Sequence, residues 1–264
     1  MSFRLFHVDA FTQFPFSGNP AAVCILPSPA DETWMQRVAS EINLSETAFI
    51  VKKDSGSYFI RWYAPKGAVD LCGHATLASA HILWNEGLHP IDQEIEFVTN
   101  SGKIICETSE NWIMMKFPII EFKEEKIPLG MIDSIGIKPK FCGKTSLNDF
   151  LLEVESEDIL KDLNPDFRKI QNFSCRGVIV TASASSDDCD FVSRFFAPSI
   201  GIDEDPATGS SHCSLGVFWS EKLSKKKLIG KQISKRGGII RINIHQDNIT
   251  LSGQAVTLVR AELF

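Results

Sequence analysis

The stretch "YFIRWYAP" at residues 58–65 recurs as "FVSRFFAP" at residues 191–198. Both copies place arginine, alanine and proline at the same positions and fill the positions around them with aromatic residues. A short run of aromatic and β-branched residues is typical of a β-strand, and proline ends strand pairing. Two such strands, far apart in one chain, indicate an internal duplication.

A second pair of similar segments follows in the same order. "DLCGHATLASAHILW" at 70–84 matches "DPATGSSHCSLGVFW" at 205–219, with Asp at the first position and Trp at the last. No Asp, Glu, Lys or Arg occurs in residues 71–85 or 206–220. A helix without a charged face is normally buried on all sides. We therefore expect each half of the chain to wrap a sheet around a central helix.

Most of the remaining sequence reads as short strands. Only residues 31–42 and 166–171 predict further helices, while the polar stretch 121–130 is interpreted as a linker and the basic run 222–231 as a solvated turn. Many strands with few helices, and no regular βαβ alternation, predict an α+β fold. The predicted strands, rich in β-branched and aromatic residues, lie at 22–27, 47–51, 94–99, 103–108, 112–117, 177–182, 239–244 and 255–263.

Composition and charge exclude several classes of protein. The chain has 264 residues, of which 44% are hydrophobic and 23% charged, as in an ordinary globular protein able to bury a core. Its net charge of −6 argues against nucleic acid or an anionic membrane surface as a partner, and no apolar run is long enough to cross a bilayer. The seven cysteines show no CxxC spacing, which favours a reducing, cytoplasmic location over a disulfide framework.

Residues 71–78, "LCGHATLA", leave three interpretations open. Cys72 and His74 could be metal ligands, a nucleophile with its base, or the edges of an anion site. A helix N-terminus lowers a thiol pKa, but a buried structural cysteine is the commoner case. The other histidines and Cys213 lack ligand-type spacing, so no metal site is predicted. Helix N-termini bind anions such as carboxylates, which favours the backbone amides at 73–74 and 209–210 as donors.

Three further residues have both a structural and a chemical interpretation. Asp205 before Pro206 fits a helix N-cap followed by proline at the first helical position, and it also fits a catalytic acid. Ser210 lacks the sequence of a nucleophile elbow, so a serine hydrolase is weakly supported. Glu46 lies between a helix and a strand in apolar surroundings, as either a structural partner or an acid–base group.

Five motifs follow one another along the chain: "DAFTQFPFSGNPAAVC" (9–24), "NLSETAF" (43–49), "RWYAPKGAVDLCGHATLA" (61–78), "RFFAPSIGIDEDPATGSSH" (194–212) and "KRGG" (235–238). Together they resemble the phenazine-biosynthesis isomerase (PhzF-like) family of the diaminopimelate epimerase superfamily. The resemblance implies two pseudo-symmetric lobes, each a mostly antiparallel β-barrel around a central helix, with the active site in the cleft between. The N-terminal lobe would span 1–122, completed by strand 255–264, and the C-terminal lobe 123–254. A homodimer without a cofactor is also implied.

The resemblance also assigns roles to individual residues. It implies an isomerase or epimerase-like enzyme that moves a proton on a small carboxylate-bearing metabolite, with Glu46 as general acid/base assisted by His74 and Asp205. We expect such a Glu46 to be kept out of a direct ion pair with His74. The residues that would hold the substrate are Asn19, Gly73, Gly209 and Ser210.

Two departures from the superfamily pattern restrict this interpretation. Residues 205–209 contain no cysteine, so a symmetric two-cysteine epimerase is not expected, and Cys72 is expected mainly to pack against the helix start. Ala68 stands where the family commonly has an acidic residue. Two alternatives stay open: a hydrolase or thiol enzyme that uses Cys72 or Ser210, and a non-catalytic ligand-binding or interaction protein on the same fold.

Overall fold

The computed structural model describes residues 2–264. Contacts between Cα atoms divide the chain into two compact units: unit 1 comprises residues 2–117 and 250–264, and unit 2 comprises residues 118–249. Each unit is mostly strand with a few helices, which confirms the α+β class. Within residues 2–264, no helix combines the length and the apolar character needed to cross a membrane.

The first half of the chain contains eight strands and two helices. They are β1 (Phe3–Ala10), β2 (Asn19–Leu26), α1 (Glu32–Ile42), β3 (Glu46–Lys52), β4 (Tyr58–Ala64), β5 (Gly67–Val69), α2 (Gly73–Asn85), β6 (Ile95–Thr99), β7 (Gly102–Ser109) and β8 (Trp112–Pro118). The second half contains ten strands and four α-helices. They are β9 (Phe122–Glu124), α3 (Met131–Ile135), β10 (Phe141–Thr145), β11 (Asp149–Glu153), α4 (Glu157–Asp162), α5 (Phe167–Ile170), β12 (Gly177–Ser183), β13 (Phe191–Ala197), β14 (Ile202–Asp205), α6 (Gly209–Leu223), β15 (Lys227–Gln232), β16 (Gly238–Ile244), β17 (Asn248–Gly253) and β18 (Ala255–Leu263).

The same strand pairing occurs in both units. In unit 1, β1 is antiparallel to β2, β2 is parallel to β3, β3 is antiparallel to β4, and β4 is parallel to β6, which is antiparallel to β7. In unit 2, β10 to β13, β15 and β16 repeat this order and these directions. β1 also pairs with β18, so the C-terminal strand belongs to unit 1. The repeated motifs in the sequence therefore lie on repeated topology.

The uncharged helices are the buried ones, as predicted. In α2, ten of the 13 residues are buried, and the helix packs on β1, β2 and β3. In α6, the residues from Gly209 to Trp219 are buried except Ser210 and Val217. A Cβ on Gly216 would lie 2.7 Å from Ile249 Cδ1, so glycine lets α6 approach the sheet closely. Closure of each sheet into a barrel stays a prediction.

Local details of the fold confirm some predictions and correct others. The predicted helices are α1 and α5, each capped by an aspartate, Asp31 and Asp166, that accepts a backbone N–H bond. Helices α3 and α4 were not predicted. The linker interpretation of 121–130 is wrong in part, because β9 pairs with β10. The basic run 222–231 is more than a solvated turn, since it continues into β15 and Lys222 forms an ion pair with buried Glu153.

Candidate active site

Cys72 and His74 lie together at the start of α2. Cys72 has an extended conformation and is the N-cap residue, so the helix begins at Gly73. The Cys72 Sγ atom lies 3.5 Å from His74 Nδ1 and 3.9 Å from Nε2. Both side chains are buried. The thiol is therefore in direct contact with the imidazole.

Glu46 completes this cluster from the neighbouring sheet. It is the first residue of β3, which packs against α2, and its Oε2 atom lies 3.0 Å from His74 Nε2. The expectation that Glu46 avoids a direct ion pair with His74 is wrong. Strand β3 begins beside the first turn of α2, and this packing brings the carboxylate onto the ring.

The surroundings of His74 favour its protonated form. Burial alone would lower the pKa of His74, but the Cys72 and Glu46 side chains raise it well above the ordinary value of 6.5. Burial, with a contribution from Glu46, also raises the pKa of Cys72, so this thiol keeps its proton at neutral pH. We conclude that the Glu46 carboxylate is the negative charge that holds a proton on the imidazole.

Asn19 contacts the opposite nitrogen of the same ring. It is the first residue of β2, is fully buried, and places Nδ2 3.3 Å from His74 Nδ1. When both ring nitrogens carry protons, rotation of the amide would present its oxygen to Nδ1 instead. Asn19 and Glu46 thus hold His74 from two sides.

The same cluster has the composition of a metal site. Glu46, Cys72 and His74 each offer one ligand atom, and the three atoms lie within 4.8 Å of one another. Carboxylate, thiolate and imidazole form a donor set that zinc accepts. The prediction that no cluster of potential ligands exists is wrong, because Glu46 is distant in sequence and reaches the other two residues only through strand packing.

Asp205 lies at the corresponding helix start of unit 2, but it does not cap the helix. Thr208 is the N-cap residue of α6, and Asp205 ends β14. The Thr208 hydroxyl donates to the Asp205 carboxylate, and Gln232 binds both the Asp205 carbonyl oxygen (2.6 Å) and the Thr208 backbone N–H (2.9 Å). The N-cap interpretation of Asp205 with Pro206 is therefore wrong. Gln232, fully buried at the end of β15, carried no signal in the sequence.

The helix starts also correct the alignment of the two half-motifs. Because α2 begins at Gly73 and α6 at Gly209, Cys72 corresponds to Thr208. His74 then corresponds to Ser210. Thr208 therefore stands in unit 2 where unit 1 has Cys72. The nearby Cys213 is buried inside α6, where burial raises its pKa to about 12. This agrees with the expectation that there is no symmetric pair of reactive thiols.

Ser210 has a charged neighbour that sequence analysis missed. Arg176 precedes β12 and contacts the Ser210 Oγ atom through Nη1 and Nη2, both at 3.1 Å. The same guanidinium forms a two-pronged ion pair with Asp149, through Nε to Oδ1 at 2.8 Å and Nη2 to Oδ2. Asp149 is buried at the start of β11. No local pattern marked Arg176 or Asp149, since strand pairing alone brings them together.

A protein family described as phenazine biosynthesis-like protein matches residues 8–261. The chain belongs to this phenazine biosynthesis-like family. It is 48% identical to an uncharacterized isomerase of Halalkalibacterium halodurans, covering 100% of this chain and 99% of the relative. A crystal structure of a PhzF-family phenazine biosynthesis protein from Enterococcus faecalis superposes with a TM-score of 0.95 at 35% identity, covering 100% of both chains.

A more distant structure extends the likeness of fold. A hydroxyproline epimerase from Agrobacterium vitis has a TM-score of 0.69 at 10% identity, covering 99% of this chain and 92% of the epimerase. This likeness concerns the fold alone. The relatives of the phenazine biosynthesis-like family that are named isomerases support an isomerase-type function.

Proposed function

We propose that this protein is a cofactor-independent isomerase that moves a proton between two carbons of a small carboxylate-bearing metabolite. Glu46 is the general acid/base. The observation that carries the proposal is the buried Glu46–His74 pair, with Oε2 and Nε2 3.0 Å apart. A carboxylate can take a proton from a substrate carbon and return it, and burial of both side chains keeps water from the exchange.

The chemistry needs only groups of this chain. Glu46 takes a proton from a substrate C–H bond, and the electron pair left behind spreads into the conjugated carboxylate of the substrate. Hydrogen-bond donors that stabilise this negative charge lower the barrier. Glu46 then returns the proton to a different carbon, while the His74 imidazolium keeps its own proton and offsets the accumulating charge.

Residues of both units belong to the proposed machinery. Asp205 orients the substrate, and Asn19, Ser210 and the backbone at Gly73 and Gly209 hold it. We expect substitutions in either unit to lower turnover. The predicted cleft between two lobes stays a prediction.

A thiol mechanism is the second candidate, because Cys72 and His74 are in contact as a nucleophile and its base would be. Its weakness is the raised pKa of the Cys72 thiol, which disfavours the reactive thiolate. A single screen separates the candidates: the protein is incubated in heavy water with a panel of small unsaturated and amino carboxylates. An isomerase places deuterium on a substrate carbon, a hydrolase releases a cleavage product, and a binding protein does neither. Exchange of no carbon-bound hydrogen in any ligand that binds would contradict the isomerase.

We further propose that the protein is a homodimer that works in the cytoplasm. The dimer is implied by the family resemblance, and light scattering after size-exclusion chromatography measures it directly. All seven cysteines are free thiols, which suits a reducing compartment. Recovery of the native protein with disulfides in place would contradict that location.

A further inference from the structure

Arg176 and Ser210 stand in unit 2 close to where Glu46 and His74 stand in unit 1. Strand β3 pairs with β4 so that Thr47 lies opposite Tyr63, and β12 pairs with β13 so that Val178 lies opposite Phe196. Tyr63 and Phe196 occupy the same position of the repeated stretch. By this register Glu46 corresponds to Gly177, and Arg176 is the residue before it, at the entry to β12.

The side chains at these two strand entries differ in charge, but each contacts the second residue of the buried helix in its own unit. Glu46 contacts His74 at 3.0 Å, and Arg176 contacts Ser210 at 3.1 Å. His74 and Ser210 are each the second residue of their helix. Each unit thus has a contact from the entry of a strand to the second residue of its buried helix. Unit 1 makes this contact with an acid–base pair, and unit 2 makes it from one residue earlier with a guanidinium and a hydroxyl.

The contacts of Arg176 restrict what Ser210 can do. A serine hydroxyl has two acceptor lone pairs and one proton to donate. Nη1 and Nη2 of Arg176 both donate to the Ser210 oxygen, which leaves only the proton for another partner. The hydroxyl is thereby committed to act as a hydrogen-bond donor.

Two neighbouring serines of α6 show the usual hydrogen bond of a helical serine, in which the hydroxyl donates to a backbone carbonyl oxygen. Ser211 donates to the Thr208 carbonyl oxygen, and Ser214 donates to the Ser211 carbonyl oxygen, each at 2.9 Å. Ser210 makes no such bond, and none of residues 2–264 accepts its proton. It is also the one residue of the first turn of α6 that is not buried. Its proton is available to a ligand.

The guanidinium itself is held in a single orientation. Asp149 binds it through two oxygens, and the Arg176 guanidinium carbon lies 5.3 Å from the centre of the Phe195 ring. Burial raises the pKa of Asp149, and the bonds from Arg176 oppose that rise. A planar guanidinium fixed in this way directs both Nη1 and Nη2 at the Ser210 oxygen, whereas a lysine ammonium has no such fixed pair of donors.

We propose that Arg176 is a positioning residue that commits Ser210 to donate its hydrogen bond to a carboxylate oxygen of the substrate. Ser210 then serves as the donor that recognises the substrate carboxylate. The inference rests on the proposed function for the reaction, but it concerns binding and is testable without turnover.

The test compares carboxylates with their amides, which match them in shape but lack the charge. Dissociation constants are measured by calorimetry for a panel of pairs, such as benzoate with benzamide and crotonate with crotonamide. The wild type should prefer a carboxylate. In Ser210→Ala, and in Arg176→Lys, the carboxylate should bind about tenfold more weakly, as expected for a lost hydrogen bond to a charged group, while the amide changes little. Ser214→Ala and Arg168→Ala, which alter a serine bonded to its own helix and an exposed arginine, are the matched controls.

A positioning role makes one further demand. Because Arg176 acts through Ser210, the double variant Arg176→Lys/Ser210→Ala should bind the carboxylate no more weakly than Ser210→Ala alone. Additive losses, equal losses for carboxylate and amide, or no preference for any carboxylate in the wild type would each overturn the proposal. Proton exchange by Glu46→Gln tests the Glu46 mechanism separately from these binding measurements, so failure of this inference is distinguishable from failure of that mechanism.

Discussion

The Nε2 atom of His74 lies 3.0 Å from the Oε2 atom of Glu46, although the two residues come from different elements of the fold. The start of β3 supplies the carboxylate, and the first turn of α2 supplies the imidazole. The His74 and Glu46 side chains are only 8% and 11% exposed, so their charges act on each other with little screening by water. The pair therefore behaves as one acid–base unit.

The first prediction concerns the pH dependence of stability. The pKa of His74 is higher in the folded protein than the value of about 6.5 in an unfolded chain. The stabilisation that His74 contributes is therefore complete below about pH 6.5 and is lost as the pH rises through the folded-state pKa. Urea unfolding from pH 5.5 to 9.5 should show a difference in free energy between the wild type and His74→Gln that shrinks as the pH rises. A difference that stays constant would contradict the raised pKa.

The second prediction concerns thiol reactivity. Cys189 is only partly buried whereas the other six cysteines are buried, so an alkylating reagent should modify Cys189 first, as peptide mass spectrometry would show.

Cys72→Ser should keep turnover within about tenfold of the wild type, because a protonated Cys72 packs against His74 without carrying the reaction. Early modification of Cys72 with parallel loss of activity would favour the thiol mechanism instead.

The third prediction concerns metal ions. Activity should survive exhaustive dialysis against a chelator, because the Glu46–His74 pair supplies the proposed chemistry. Added Zn²⁺ should inhibit by binding the cluster of Glu46, Cys72 and His74, and Cys72→Ser should be less sensitive to it. Activity that is lost on chelation and restored by one divalent ion would show that the reaction needs a metal.

The fourth prediction concerns the support of Asp205. The Thr208 hydroxyl donates to the Asp205 carboxylate, and both residues are buried. Thr208→Val keeps the shape but leaves the carboxylate short of a donor, which should lower the free energy of unfolding by about 1–3 kcal/mol. Chemical denaturation measures this change. No loss of stability would mean that water replaces the hydroxyl.

The sequence predicted much of the fold because its signals are local. Aromatic and β-branched runs marked the strands, and the absence of charge marked α2 and α6 as buried. The Asp205–Pro206 pair misled for the same reason: it satisfies a local capping rule, yet the chain reaches Thr208 before the helix begins. Local sequence rules therefore predicted whether a segment is a helix or a strand better than they predicted the residue at which it begins.

The partners within the site could not be predicted in the same way. The family resemblance pointed to Glu46 and His74, but their direct contact depends on how β3 packs against α2. Arg176 and Asp149 meet because β11 and β12 run parallel, a pairing that no pattern within either strand reveals. Long-range pairing is thus the information that composition and spacing did not contain.

The central claim is that Glu46 transfers the proton, and exchange of substrate hydrogen in heavy water tests it most directly. The rate of deuterium incorporation is measured by NMR for the wild type, for Glu46→Gln and for Glu41→Gln, which alters an exposed glutamate of α1. We expect Glu41→Gln to match the wild type, and Glu46→Gln to keep its fold and ligand binding while exchange falls by about three orders of magnitude or more. Exchange by Glu46→Gln within about tenfold of the wild type would contradict the account and make Asp205 the next candidate base.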